Sequence, residues 1–519
     1  MSVAEPLLPT SVLADLADAN KREVVFPPGG RWAVGDNVRL TRPNVRVRGE
    51  GCTLVSDNGR YPFQAISTLI TRPNAHNEWH ATGAVTPSTD TLALAEPVPF
   101  LAGETVLVRM GVSSHDPAEP EAQVYVTIAE VTATSIKFTS PLLRSPKVWA
   151  SFNDLIVAIG VDQNQGYKTG PWEHRSGYYA RGLGTDHGIQ GFVGGQPVGG
   201  ITVEGLTVEF PYLSTFPYGG WAFSAVRCRD VRFIDCTTVD PCGHSFHCFA
   251  SDNMRVINAT VRGRGRSLDY QSNVNFGPSA VLSAWGGNGL RLSGASVDGS
   301  DFSLVGLEAG TTGTVVEDVS FRSWWSRAPS QGGNMNGGQI FNAAGLHPGL
   351  LFRDIRLTVP KPALGYGALL VQSQTLAGTR FEDIAFESGE LPDFLELSRF
   401  KWDGTIRVGS QVFGPARTVG IEYTINYPYT KLLIPAGLYR SAGLTILSGG
   451  PNIRDINIGG PTSPSWSQVV GASNPSQITF PNWRQNSPGP VRLPSQIDCG
   501  IYMHSGTARV RFEAELFPL

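Results

Sequence analysis

Charge is scarce in this chain. Lys, Arg, Asp and Glu make up 16% of 519 residues, and the formal net charge is −3. That balance offers no basic footprint for nucleic acid and no polybasic face for an anionic membrane surface, so neither is expected as a partner. No run of about 18 apolar residues occurs, so no transmembrane helix is expected. The opening stretch, MSVAEPLLPTSVLADLADANKRE, lacks a basic start and a continuous apolar core and does not read as a Sec signal peptide. A secreted polysaccharide enzyme would ordinarily carry one; a protein released by cell lysis would not need one. There is no Gly-x-Ser-x-Gly, no P-loop and no His-Glu-x-x-His. A 3.6-residue apolar period is almost absent, and with 60 Gly and 37 Pro this disfavours a helical solenoid. The Leu/Asn frame of leucine-rich repeats is missing too. Cysteine is limited to six residues, four of them (Cys228, Cys236, Cys242, Cys248) in one stretch.

What the chain does have is a phrase that recurs seven times: ITVEGLTV from Ile201, VRFIDCTT from Val231, MRVINATV from Met254, LRLSGASV from Leu290, TVVEDVSF from Thr314, LLFRDIRL from Leu350 and TRFEDIAF from Thr379. Its apolar anchor is Val203, Phe233, Val256, Leu292, Val316, Phe352 or Phe381. Two residues on stands Gly205, Asp235, Asn258, Gly294, Asp318, Asp354 or Asp383. These types tolerate positive φ, which a one-residue corner requires. Apolar residues three and five past the anchor complete a strand–corner–strand unit. Ten residues before the anchors lie Phe223, Phe246, Leu282, Gly306, Asn342 and Val371, in segments that read as a third strand. Each copy then supplies one coil of a parallel β-helix, and a solenoid of such coils folds only as a stack. Cys236 and Cys248 fall on inward positions, so the cysteines read as buried, reduced thiols packing as small hydrophobes, with a stacked disulfide as the alternative. The anchor spacings are 30, 23, 36, 24, 36 and 29 residues, so two intervals carry long loops.

The run from Val24 to Val55, VVFPPGGRWAVGDNVRLTRPNVRVRGEGCTLV, adds a resemblance. Its Val25, Phe26, Pro27, Pro28 and Gly29, followed by Gly49 and Gly51, resemble the opening coils of the pectate-lyase-like superfamily, which many phage tailspikes share. About 35 residues match closely, and the coils to Val408 match by pattern. The resemblance implies a right-handed β-helix, as the crossover rule for parallel strands also requires. It transfers no catalytic site. Calcium-dependent lyases of that superfamily need an acidic cluster with a catalytic Arg, and its pectin hydrolases need Asn-Thr-Asp, Asp-Asp and Gly-His-Gly. Here only Gly243-His244-Ser245 echoes the last of these.

The expected fold class is therefore all-β: a right-handed single-stranded parallel β-helix with an inserted small β domain and a C-terminal β-sandwich. The segments are 1–22, an N-terminal capping or attachment segment with a short helix over 11–19; 23–74, the first coils; 75–150, an inserted small barrel of a kind that also resembles tailspikes; 151–408, the main β-helix; and 409–519, a terminal sandwich for trimerisation or glycan binding. PNIRDINI from Pro451 fits the repeat template by coincidence of spacing.

Two loops, Arg262–Ser279 and Arg322–Gly338, follow the third strands of alternate coils and should emerge on one side, two coils or about 10 Å apart. A groove between them would have Arg262, Arg264 and Arg266 for acidic sugars and Tyr270, Trp324 and Trp325 for stacking on sugar rings. The alternative for the Trp pair is packing against a neighbouring subunit. Candidate acid and base groups for glycoside hydrolysis, which needs two carboxyl groups roughly 5–10 Å apart, are Asp298, Asp301, Asp269, Glu308 and Asp240. His247 joins them because it should point out of its strand. The plainer reading makes these carboxylates solvated turn residues. Cys242, His244, His247 and Cys248 match no common zinc spacing, and no metal or cofactor is expected. Val281, Val305, Phe341 and Leu370 lie one residue off the inward parity and should need cover, as in the homotrimers that the resemblance implies. The expected function is a phage tail component, tailspike or tail-tip fibre, in the virion tail, contacting host surface polysaccharide and other tail or baseplate proteins. The alternatives are a secreted bacterial polysaccharide lyase or glycoside hydrolase, and a purely structural virion protein.

Overall fold

The computed structural model describes residues 5–34, 38–56, 61–72, 77–111, 122–150, 183, 185–211, 220–265, 279–300, 302–324, 340–343, 347–358, 380–386, 401–408, 411–413, 417–426, 429–434, 437–448, 453–458, 466–469, 477–479, 491–493, 497–503 and 505–517. Three parallel ladders build a β-helix. The first ladder stacks Val24, Val47, Val203, Phe233, Val256, Leu292, Val316, Phe352, Phe381 and Trp402 in register. The second stacks Trp32, Leu54, Val208, Thr238, Val261, Val297, Phe321, Leu357, Phe386 and Val408. The third runs Val38, Phe63, Phe223, Phe246, Leu282, Val305, Phe341. All seven expected corner residues have φ between 52° and 70°. The residue after each of them, from Leu206 to Ile384, is buried at 3% exposure or less. The chemistry of the corner thus fixes where each coil bends.

One core runs the length of the stack. Its aromatic centre is Phe63, Phe223 and Phe246 on successive coils, with centroids 6.0 and 5.3 Å apart and Phe233 packed against all three. A short helix, Thr10–Ala17, closes the first coil. Val12 is buried, and Leu8 and Leu16 pack on the core; Leu16 follows Val12 by one turn and so shares its face.

The third ladder departs from the expected register. Leu282 pairs with Val305, and Val305 with Phe341, not with Gly306 and Asn342. The physical cause is a β-bulge: Ala284 faces Leu307 while Trp285 faces Ala309, so Glu308 is an extra residue. A constant count of ten to the anchor fails wherever such a residue is inserted. The chain also rounds its corner with two consecutive core residues, as in Ala222–Phe223, Val281–Leu282, Leu304–Val305 and Ile340–Phe341. Val281, Val305 and Phe341 therefore lie within the subunit's own core, at 2% exposure or less. The inference that they need cover from another subunit is corrected; Leu370 and Val371 lie outside the described residues.

The insertion is a closed six-stranded barrel: Trp79–Thr82, Thr91–Leu94, Thr105–Met110, Ala122–Val131, Ser135–Phe138 and Asp186–Gly191. Its last strand comes from beyond 150, inside the span assigned to the main helix. DHGIQG has no apolar alternation and pairs through its backbone between Trp79–Thr82 and Thr105–Met110. The insertion leaves the third ladder after Phe63–Ile66 and returns before Gly199–Glu204. Its ends stay together: Leu69 bridges Phe192, and the Val198 N–H donates to Ser67 Oγ at 2.8 Å. The barrel has its own core and lies against the outer face of the third ladder, where Leu107, Tyr125, Phe192 and Ala250 form a separate cluster.

After Lys401–Val408 the strands turn antiparallel. One sheet joins Arg417–Asn426, Thr507–Phe517, Gly437–Ser448 and Gln477–Thr479, with Val491–Leu493 also on Gly437–Ser448. The other joins Tyr429–Ile434, Ile497–Met503, Ile453–Ile458 and Trp466–Val469. Ile453–Ile458, from the repeat-like PNIRDINI, is an antiparallel strand of this sandwich and not a coil.

Candidate functional site

The expected groove is partly visible, on the outer face of the second ladder. Arg262 registers with Asp298, and Asp298 with Arg322, on three successive coils. Arg262 and Asp298 are exposed. Arg322 Nη1 lies 3.7 Å from Asp298 Oδ1, with both side chains about three-fifths exposed. So open an ion pair contributes little stability. Arg264 is half-buried on the same ladder. Trp324 registers with Ser300 at the loop's root, and Glu308 is the bulged residue of the third ladder. Arg266, Asp269, Tyr270, Asp301 and Trp325 lie outside the described residues.

Asp240 is occupied structurally. At φ 50° it takes a hydrogen bond from the Arg264 N–H to Oδ1 at 2.7 Å. A Cβ at Gly263 would sit 2.2 Å from that oxygen, so glycine lets the turn close over the carboxylate.

His247 lies on the outward parity of the third ladder, between Ser224 and Ser283, but it is fully buried. The expectation that it points into solvent is corrected, because aromatic neighbours cover it. Trp221 stacks on its ring at 3.6 Å, Trp285 meets it edge-on at 5.6 Å, and Tyr61 stands 4.7 Å beyond Trp221. Nδ1 bonds to Ser283 Oγ at 3.1 Å, and Nε2 has no partner. The nearby His244 Nδ1 accepts the Ala280 N–H at 3.1 Å. Burial drives the His244 pKa down to about 4 and that of His247 well below the usual imidazole range, with His244 adding to the latter. Both rings are therefore neutral at pH 7, and His247 is closed off from bulk solvent.

A second concave site lies where the barrel meets the third ladder. The Tyr125 hydroxyl donates to the Ala250 carbonyl at 2.7 Å, and the Asn288 amide donates to the Gln123 carbonyl at 2.7 Å. Arg144, from the segment after the last early barrel strand, donates to Asp252 Oδ2 at 2.8 Å and also to the Tyr125 carbonyl. Asn288 donates to Asp252 Oδ1 at 2.8 Å. Burial pushes the Asp252 pKa up, against Arg144 and Asn288, which hold it down. Between these groups remains a cavity of about 300 Å³, lined among others by Gln123, Arg144, Asp252, Asn288, Leu142 and Leu143. A deeper seam joins the same two bodies: Arg109 pairs with Glu78, Gln190 Nε2 donates to Glu78 at 3.2 Å, and Arg227 Nε donates to Gln190 at 3.2 Å.

No protein-family model and no curated protein matches the chain. Solved structures do match it, over most of both lengths. The tailspike protein of Pseudomonas phage LKA1 is 10% identical, with a TM-score of 0.32, over 95% of this chain and 91% of that one. The tailspike of Acinetobacter baumannii bacteriophage AP22, solved in complex with A. baumannii capsular saccharide, is 10% identical, with a TM-score of 0.26, over 100% and 95%. PfbA, a surface adhesin of Streptococcus pneumoniae, is 10% identical, with a TM-score of 0.33, over 78% and 77%. The chain is similar in fold to these proteins. At such identities and TM-scores nothing about its chemistry follows from them.

The arrangement itself offers two kinds of chemistry. The second-ladder file presents guanidinium forks and one carboxylate to solvent on a rigid sheet. The crevice is lined by both polar and apolar side chains. Sequence reasoning missed the crevice. Its one signal was Gln123 in the otherwise apolar strand AQVYVTI, whose alternation sends Gln123 and Tyr125 to the face opposite Val124. Cys52, Cys228, Cys236 and Cys248 are buried thiols, each pushed up to about 12 by burial.

Proposed function

We propose that the protein is a phage tail component, a tailspike or tail-tip fibre acting as a homotrimer, that recognises host surface polysaccharide along the outer face of its second ladder. One observation carries this reading: Arg262, Asp298 and Arg322 stand in a single file on three successive coils, solvent-open, at the roots of the two longest intervals. Coils repeat about every 4.8 Å, so such a file offers an extended polymer evenly spaced contacts. Arginine forks suit the carboxylates of acidic sugars, and Tyr270, Trp324 and Trp325 are the aromatic groups proposed to stack on sugar rings.

Binding is favoured over cleavage because, among the described candidates on this face, Asp298 is the one exposed carboxylate, Asp240 being held in a turn, whereas glycoside hydrolysis needs two. Purified protein should bind an acidic capsular or cell-wall glycan saturably and yield neither reducing ends nor unsaturated products. Paired Arg262→Ala/Arg322→Ala and Trp324→Ala/Trp325→Ala variants should each weaken binding at least tenfold. Accumulating product would replace this reading with that of a lyase or glycoside hydrolase. A monomer by light scattering would remove the tailspike assignment.

A further inference from the structure

A second cavity, of about 440 Å³, adjoins the crevice where the first ladder meets the barrel. Tyr125, Arg144 and Arg229 line it together with the hydroxyl-bearing Thr127, Thr139 and Ser140. Among the described residues that line it there is no carboxylate. The two guanidiniums converge on one residue. Arg144 donates to the Tyr125 carbonyl, and Cζ of Arg229 lies 5.9 Å from the centre of the Tyr125 ring.

Arg229 is short of partners. It is half-buried, and its Nε is sealed off without a hydrogen bond. Nη1 and Nη2 are neither sealed in this way nor bonded to an acceptor among the described residues. Asp252 pairs with Arg229 in register on the next coil. Its Oδ2 accepts from Arg144 and its Oδ1 from Asn288, both at 2.8 Å. Asp230, beside Arg229 in the chain, is exposed and takes the Asn253 amide. Two guanidiniums thus stand against the single carboxylate of Asp252, and positive charge is left over at the cavity. A half-buried charge with no hydrogen-bonded counter-charge is costly, and an anion in the cavity would offset that cost. Arg144 can contribute as well, because Asp252 and the Tyr125 carbonyl occupy only two of its five N–H donors.

Guanidinium forks match the paired oxygens of carboxylates and phosphates. The volume falls within that of small-molecule pockets, roughly 300–1,000 Å³, so a phosphate ion or a carboxylate carried on one ring can enter. We propose that Arg144 and Arg229 together bind one small oxyanion, a phosphate or a carboxylate, in this cavity. Arg144 belongs to the inserted segment and Arg229 to the first ladder, so the bound anion ties the two bodies together. Neither arginine belongs to the second-ladder file, and the two surfaces can be tested apart.

The test is isothermal titration calorimetry of the full-length protein at fixed ionic strength, in a buffer free of other oxyanions. The probes are inorganic phosphate, glucuronate and, as a neutral control, glucose. Phosphate or glucuronate should bind saturably, and glucose should not. Binding of phosphate alone assigns the site to phosphate, and binding of glucuronate alone assigns it to a carboxylate. Arg229→Gln removes the charge of a guanidinium that no hydrogen bond holds; it should weaken binding at least tenfold and leave the thermal midpoint of the anion-free protein no lower. Ser140→Trp, at an exposed lining position, should fill the cavity with both arginines in place and weaken binding as much. Arg262→Ala/Arg322→Ala should leave binding unchanged. Absence of saturable binding by both anions, glucose binding as tightly as glucuronate, or affinity indifferent to both cavity variants overturns the inference. Anion binding lost in Arg262→Ala/Arg322→Ala and kept in Arg229→Gln would place the anion on the second ladder and overturn it too.

Discussion

Replacing Phe223 with alanine should be among the most damaging single changes in the β-helix. The side chain is fully buried and contacts three other rings. Phe246 is stacked on it at 5.3 Å and 9°, Phe233 stands at 5.4 Å, and Phe63 at 6.0 Å. Truncating a buried phenylalanine costs about 3–5 kcal/mol, the amount rising with the cavity left behind. Each ring pair adds roughly 0.5–1.5 kcal/mol beyond area burial. The neighbours sit on hydrogen-bonded coils above and below and cannot collapse into the void without breaking register, so the upper half of the range, about 4–5 kcal/mol, is expected. Phe223→Leu keeps most of the volume and loses three ring contacts, for roughly 1.5–3 kcal/mol at the lower values of the ring-pair range. Urea unfolding followed by tryptophan fluorescence measures both. A loss under about 1 kcal/mol for Phe223→Ala, with unchanged m, or a leucine variant as damaged as the alanine one, would refute the reasoning that a rigid aromatic stack centres this core.

Acidification should weaken the fold before most carboxylates titrate. His244 and His247 are held neutral by burial, His244 down to about 4, while in the unfolded chain they protonate near pH 6.5. Between those values the unfolded state binds more protons, so stability falls as pH drops; a urea midpoint flat from pH 6.5 to 5, or one as steep in His247→Gln, would contradict this. The thiols Cys52, Cys228, Cys236 and Cys248 should resist a thiol-specific disulfide reagent at pH 8 until the protein is unfolded, and rapid labelling of the native protein would count against their burial. Gly286→Ala places a side chain at φ 76°, which costs about 1–2 kcal/mol, and displaces the Gln123 amide. The thermal midpoint should fall; an unaltered midpoint would show that the barrel sits less tightly on Gly286.

The corners were legible because their chemistry is local. A one-residue bend needs positive φ, and Gly, Asn or Asp at seven equivalent places announces it. The third ladder was less so, because one bulged residue at Glu308 shifts the count and two consecutive core residues break alternation at each corner. Nothing in DHGIQG marks a barrel strand, since Asp186–Gly191 is held by backbone pairing and not by apolar periodicity. Arg262 and Asp298 could be placed on one face because they keep a constant offset from their anchors; Arg322 shares that offset but was legible only as the start of its loop. The crevice could not, since Gln123, Arg144, Asp252 and Asn288 come from two bodies whose docking no local pattern encodes.

The insertion also sets an order of assembly. Arg48 finds its partner on the next coil at Glu204, 156 positions later along the chain. At about 5–20 residues per second on the ribosome, the first two coils wait roughly 8–30 s for the strand that covers their open edge. The barrel has mostly nearest-neighbour antiparallel pairings in its early strands and can close first. When Asp186–Gly191 completes it, the bridge between Leu69 and Phe192 delivers the growing chain back to the point it left. The barrel is then a jig for the nascent solenoid, and shortening it by removing that last strand should trap the first coils with an unpaired edge.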